Sequence, residues 1–298
     1  MVIMFLFIVT GFFCGKKNII SESVSKSFSW IILNLANPAL ILNAAIQNCT
    51  TVKLSSLGYV FVLSLILYLS LIILGEIIPR LMKIQKADRG IFRLMIVFSN
   101  IAFMGFPILN TTFGSKAVLY ASVFQFPFNL LIYTYGIKVM DSENGEFRIS
   151  KMLNSGIIAC SLSLLIYLVK FRCPFILSQS LIYMGNMAMP LSMLVIGTSL
   201  LSFNMRNLFM DPILLVFSFL KLIVIPSAVL LLAKHILNDS LIFGVLLVMI
   251  STPVASMCPL MAQQYGGNHS LASKGVAVTT LLSVLTMPLI NWIFTSLL

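Results

Sequence analysis

The sequence predicts an all-α polytopic membrane protein: ten transmembrane helices forming two inverted five-helix repeats, with helices 4 and 9 broken. Three observations carry that expectation. The composition is too apolar for a water-facing surface, the apolar windows are long and separated by breakers, and a set of prolines, glycines and an asparagine recurs after 152 residues. Of the 298 residues, 59% are hydrophobic and 9% charged, and the mean hydropathy is +1.06. A soluble domain carries about 25% charged residues. Runs such as Leu57 to Leu74 and Ile213 to Ala233 approach the roughly 20 helical residues that cross a hydrocarbon core. Lipid leaves only helices or a closed barrel for backbone hydrogen bonding, and the alternating strands of a barrel are missing from the sequence.

The windows, taken in order, are Val2 to Gly15, Phe28 to Gln47, Leu54 to Ile78, Ile91 to Phe113 and Ala117 to Val139. The second set is Met152 to Val169, Ile176 to Leu201, Pro212 to Ala233, Leu241 to Tyr265 and Leu271 to Leu298. They divide the chain into a first repeat (1–140), a short cytoplasmic connecting loop (141–151) and a second repeat (152–298). The first window is short for a crossing. No basic residue precedes it, and Lys16 and Lys17 follow it, the order expected of an uncleaved span rather than a signal peptide. With the N-terminus outside, thirteen Lys and Arg flank the inner side and five the outer, and Lys221 lies within a span. That bias predicts a multi-pass protein of the plasma (inner) membrane with both termini outside.

The net charge of +11 therefore reflects orientation, and no basic-aromatic stripe points to nucleic acid. Five scattered cysteines and two histidines, His235 and His269, form no metal-like spacing, and no cofactor is expected. HExxH, GxSxG and Walker motifs are absent, so the sequence does not read as an enzyme.

The repeat is read from polar and breaker residues. Asn34, Ala36 and Pro38 match Asn186, Ala188 and Pro190; Ser99 matches Ser251; Pro107 matches Pro259. Phe113-Gly114 matches Tyr265-Gly266 in kind. An odd number of spans per half inverts the second half, the arrangement of many secondary carriers, whose sites lie between the repeats.

The fourth window, SNIAFMGFPILNTTFG, predicts a helix break near Gly105 to Pro107; the ninth, STPVASMCPLMAQQYGG, carries Pro253 and Pro259 around Ala255 and Ser256. Broken helices in register expose half-helix N-termini, whose partial positive charge attracts anions. Asn100 can donate and accept in such a pocket. Asn37 and Asn43 beside Pro38, Thr198 and Ser199 in the seventh span, and Gln125 with Asn129 on one face of the fifth are further wall candidates. Helix-helix hydrogen bonding is the competing role for each. Lys221 lies about ten residues, roughly 15 Å, into the eighth span. A charge at that depth points to function, either compensating an anion or pairing with a helix-end carbonyl or Asp211. All eight acidic residues fall in loops or near span ends, which disfavours a cationic substrate.

At NPALI around Pro38, NIAFMGFPILNTTFG from Asn100, the run from Thr252 to Leu289 and KLIVIP around Lys221, the chain resembles the auxin efflux carrier family. The resemblance covers nearly the whole length, and the short central loop places it with bacterial organic-acid permeases rather than plant auxin exporters. It implies that helices 4 and 9 cross at their breaks. It also implies an anionic substrate bound near that crossing, with Asn100 as the pocket asparagine and Pro107 and Pro253 or Pro259 as crossover prolines. The expected function is secondary active or facilitative transport of a small organic anion, a mono- or dicarboxylate, by alternating access. A sodium-coupled symporter of the bile-acid type and a non-transporting sensor of organic acids are the alternatives. The expected partners are the substrate and the lipid bilayer, with H+ or Na+ as a coupling ion and a homodimer compatible with the pattern.

Overall fold

The computed structural model describes residues 2–140, 155–171, 173–199, 201 and 211–295; the expected connecting loop at 141–151 lies outside them. Among the described residues no strand forms. The helices are α1 (Val2–Lys16), α2 (Glu22–Ile31), α3 (Asn37–Asn48), α4 (Leu54–Leu81), α5 (Lys86–Val97), α6 (Phe106–Phe113), α7 (Ser115–Tyr133) and α8 (Tyr135–Met140). They continue as α9 (Ser155–Val169), α10 (Phe175–Asn186), α11 (Ala188–Ser199), α12 (Pro212–Phe219), α13 (Ile225–Ile236), α14 (Ser240–Ser251), α15 (Met257–Gln264) and α16 (His269–Thr295).

Six helical segments among the described residues are long and apolar enough to cross a bilayer: Glu22–Asn48, Leu54–Leu81, Ser115–Met140, Phe175–Ser199, Pro212–Ile236 and His269–Phe294. Shorter apolar helices occupy the other expected windows: Leu6–Lys16, Ile101–Phe113, Ser155–Val169 and Ser240–Ser251. The fourth and ninth windows are short because residues 98–100 and 252–256 leave the helix. Asp211 and Asp239 fix two helix starts by accepting backbone N–H bonds from Ile213 and Leu214 and from Leu241 and Ile242. On α4, Leu65, Ile66, Leu69 and Ile73 face outward while Leu67 and Leu71 are buried, a helix apolar on all sides that suits lipid.

Three prolines are absorbed by one device. Five-residue π-helical turns at Ile32–Ala36, Ile101–Gly105 and Leu220–Val224 each end two residues before a proline: Pro38, Pro107 and Pro226. A proline lacks its N–H, and its ring collides with the carbonyl four residues back. Widening the turn to an i→i−5 register relieves the collision. In that register Leu33 and Ala102 keep unpaired carbonyls, and neighbouring helices use both. Ser155 Oγ donates to Leu33 O at 2.9 Å, and Asn37 Nδ2 donates to Ala102 O at 2.8 Å. The expected break at Gly105 to Pro107 is therefore displaced: the chain is helical there and leaves the helix upstream, at Phe98 to Asn100.

Close packing joins helices distant in the chain. α1 lies along α11, where Gly11 meets the Leu194 backbone and Gly197 meets Ile8 and Phe12. α3 packs on α9 and α10, and a Cβ at Gly185 would sit 3.0 Å from Leu40 Cα. Tyr167 Oη adds a bond to Val52 O at 2.6 Å. Elsewhere α4 packs on α5 and α7, α14 on α7, and α16 on α12, α14 and α15. Two backbone features recur at the 152-residue offset: left-handed residues Asn18 (φ 56°) and Lys170 (φ 51°), and glycines Gly114 and Gly266 (both φ 77°).

Candidate functional site

The two helix interruptions meet. Asn100 N donates to Pro253 O at 2.8 Å and Ala255 N donates to Phe98 O at 3.0 Å, forming a single antiparallel bridge between Ser99 and Val254. Each segment thereby satisfies backbone groups that its own helix abandons, the condition for irregular backbone inside a membrane protein. Thr279 Oγ1 accepts the Val254 N–H at 3.2 Å and ties the crossing to α16.

Lys221 closes the other side. Its side chain is fully buried, and Nζ donates at 2.8 Å both to Ile96 O, in the last turn of α5, and to Ser99 Oγ. The amino group thus sits at the negative end of a broken helix. Asp211, the alternative partner, caps α12 instead. The π-helical turn at Leu220–Val224 carries Lys221 into this position.

Beyond the bridge, both second half-helices begin at one cavity of about 230 Å³. Asn100 and Phe103 line it from one helix start, Ser256 and Pro259 from the other. The Asn100 carbonyl oxygen accepts the Phe103 N–H at 3.3 Å, leaving its amide NH2 without a protein acceptor among the described residues. Ser256 precedes α15 and makes no side-chain cap bond to it. Ser29 of α2, Val195, Ile196 and Ser199 of α11, and Ser273, Val276, Ala277 and Thr280 of α16 complete the wall. The wall is hydroxyl-rich and carries no charged side chain.

Of the residues expected at a site, Asn100, Ser256, Pro259 and Ser199 share this cavity. Pro253 lies in the crossing itself, where its carbonyl accepts from Asn100, and Lys221 lies behind it. The others do not line the cavity. Gly105 N bonds Asn100 O at 3.2 Å within the π-helical turn, and Pro107 is buried one turn on. Asn37 serves the Ala102 carbonyl. Thr198 Oγ1 donates to Val195 O at 2.9 Å and meets Ser25 Oγ at 3.2 Å. Asn43 Oδ1 and Gln125 Oε1 are buried without a partner away from the cavity, and Asn129 Nδ2 donates to Gln125 O at 2.9 Å. Ser29, Ser273 and Thr280 escaped sequence reasoning. Ser273, Ala277 and Thr280, at helical spacing on one face, were the available signal.

A model of the family described as membrane transport protein matches residues 1–156 and 145–291. An uncharacterized transporter of Methanocaldococcus jannaschii is 24% identical over 303 residues, covering 98% of this chain and 96% of the relative. An uncharacterized transporter of Methanothermobacter thermautotrophicus is 20% identical over 289 residues, covering 95% and 93% respectively.

Proposed function

Because the chain belongs to the membrane transport protein family, that of the auxin efflux carriers, we propose that it carries a small organic anion across the membrane by alternating access between two inverted five-helix repeats. The single observation that carries this reading is the crossing. Two broken helices begin their second halves at one uncharged, hydroxyl-lined cavity, where the Asn100 amide has donors to spare. Each helix N-terminus presents about half a positive charge. Two of them offset roughly one negative charge, so a monocarboxylate suits the cavity better than a dicarboxylate. The Ser256 and Thr280 hydroxyls and the Asn100 NH2 supply hydrogen bonds to carboxylate oxygens, while Ser29 and Ser199 donate to their own helices.

The recurrence of left-handed backbone at Asn18 and Lys170, and at Gly114 and Gly266, supports the duplication. So does the placement of both interruptions at related positions. Two inverted copies can exchange conformations, which opens the cavity to each side in turn.

Lys221 speaks against the sodium-coupled alternative. Half-helix C-terminal ends and unwound carbonyls are where carriers hold sodium, and here the Lys221 amino group occupies the end of α5. The test is counterflow in proteoliposomes over a set of mono- and dicarboxylates. Saturable exchange of a monocarboxylate that is lost in Asn100→Ala supports the reading. Saturable binding without movement in either direction sinks it in favour of a sensor.

A further inference from the structure

A second cavity, of about 550 Å³, opens at the end of the molecule that the charge bias turns inward. It lies between the end of α4, the start of α5, α8 and the Gly266-Gly267 turn that joins α15 to α16. Close backbone approaches build it. A Cβ at Gly90 would meet Val139 O at 2.6 Å and one at Gly267 would meet Met140 Sδ at 2.8 Å, while Asn268 Nδ2 clamps the turn to Asp88 at 3.1 Å.

Its wall differs from that of the crossing. Lys86, Arg93 and Lys138 face one carboxylate, Glu76. Glu76 Oε2 is already shared between Arg93 at 2.6 Å and Arg80 at 3.2 Å. Lys86 and Lys138 make no ion pair among the described residues. Two further groups are short of partners: Arg93 Nε and Tyr135 Oη are both buried and unbonded. Native proteins rarely leave such donors unmatched, since a buried donor without an acceptor is costly. An acceptor is therefore missing at this place, and the excess of positive charge says that the acceptor is an anion.

We infer that this cavity is a second anion site, distinct from the crossing, which takes a doubly charged phosphate group between Arg93, Tyr135 and Lys138. Arginine presents parallel N–H groups that match the edge of an oxyanion. With one amine on Glu76, Arg93 still has its Nε and the tyrosine hydroxyl beside it to offer. The two lysines balance the dianion that the uncharged crossing cavity would reject. Arg93 lies about one turn of α5 before the break at Phe98, so an occupant here bears on the segment that forms the crossing.

The same phosphate chemistry arises from a free phosphate or from a phosphomonoester lipid headgroup. The test uses the full-length chain in detergent, titrated with inorganic phosphate against chloride at matched ionic strength, with the unfolding temperature as the readout. Phosphate raises it saturably and chloride does not. Arg93→Gln raises the phosphate midpoint at least tenfold and Lys138→Gln severalfold, while Lys26→Gln, which removes an exposed charge on α2 outside both cavities, leaves it in place. Should Arg93→Gln fail to fold, the exposed Lys138 decides alone. Repeating the titration in phosphatidylcholine nanodiscs with and without phosphatidic acid separates the sources: a midpoint raised by phosphatidic acid identifies the lipid, and an unmoved one the free ion. Equal responses to phosphate and chloride, or an unchanged midpoint in Lys138→Gln, overturn the site. Because no carried substrate is present, this result is independent of the counterflow experiment.

Discussion

Two residues at the crossing make opposite demands on substitution. Asn100 offers donors to the cavity while its oxygen caps the helix start, so Asn100→Asp keeps the cap and reverses the electrostatics. Placing a carboxylate beside the proposed anionic substrate costs several kcal/mol at the low effective dielectric of a buried site. Counterflow is expected to fall at least a hundredfold, further than in Asn100→Ala. Lys221 makes a different demand, because its amino group serves Ile96 O and Ser99 Oγ and does not reach the cavity wall. Lys221→Met therefore lowers the rate of exchange at least tenfold by loosening the crossing, and Lys221→Arg does not restore it, since a planar guanidinium cannot fill the place of a compact amine. Initial exchange rates at saturating substrate read both effects.

The elements show which parts of the architecture were legible. Apolar windows were visible because lipid demands length and hydrophobicity, and the breakers because prolines and glycines stand out in such a background. The position of the fourth-helix break was not. Pro107 is a visible breaker, but a π-helical turn absorbs it, and the real interruption is set by bonds between Phe98 to Asn100 and Pro253 to Ala255. Two segments more than 150 residues apart fix each other, which no local pattern reveals. The cavity hydroxyls were hidden for another reason. Serines in membrane helices commonly bond back to their own helix, as Ser64, Ser122 and Ser163 do, and Ser29 of the cavity wall bonds back to Ser25 O in the same way. Helix contacts make their own prediction. Gly197→Leu drives a side chain into the Ile8 and Phe12 backbone and prevents recovery of a monodisperse protein. Gly58→Ala, with nothing within 4 Å, raises stability by about 0.5–1 kcal/mol, read as a higher unfolding temperature in detergent.

At the scale of the whole molecule, charge placement and the crossing fix two further expectations. Replacing sodium with choline on both sides of the bilayer leaves exchange unchanged, because the Lys221 amino group already occupies the end of α5. A cysteine placed at Gln85 in a cysteine-free background reacts with an impermeant reagent only from the inside, and one at Lys53 only from the outside. Reversed labelling would overturn the proposed orientation. The packing of α1 on α11 bears on how the chain is made. Protein synthesis proceeds at roughly 5–20 residues per second, so the partner of α1 leaves the ribosome roughly ten to forty seconds after α1 does. Through that interval the small-residue face around Gly11 has only lipid or the insertion machinery against it. A helix whose partner arrives this late is left unpaired during biogenesis, and holding α1 in place is a task for the cell's membrane chaperones.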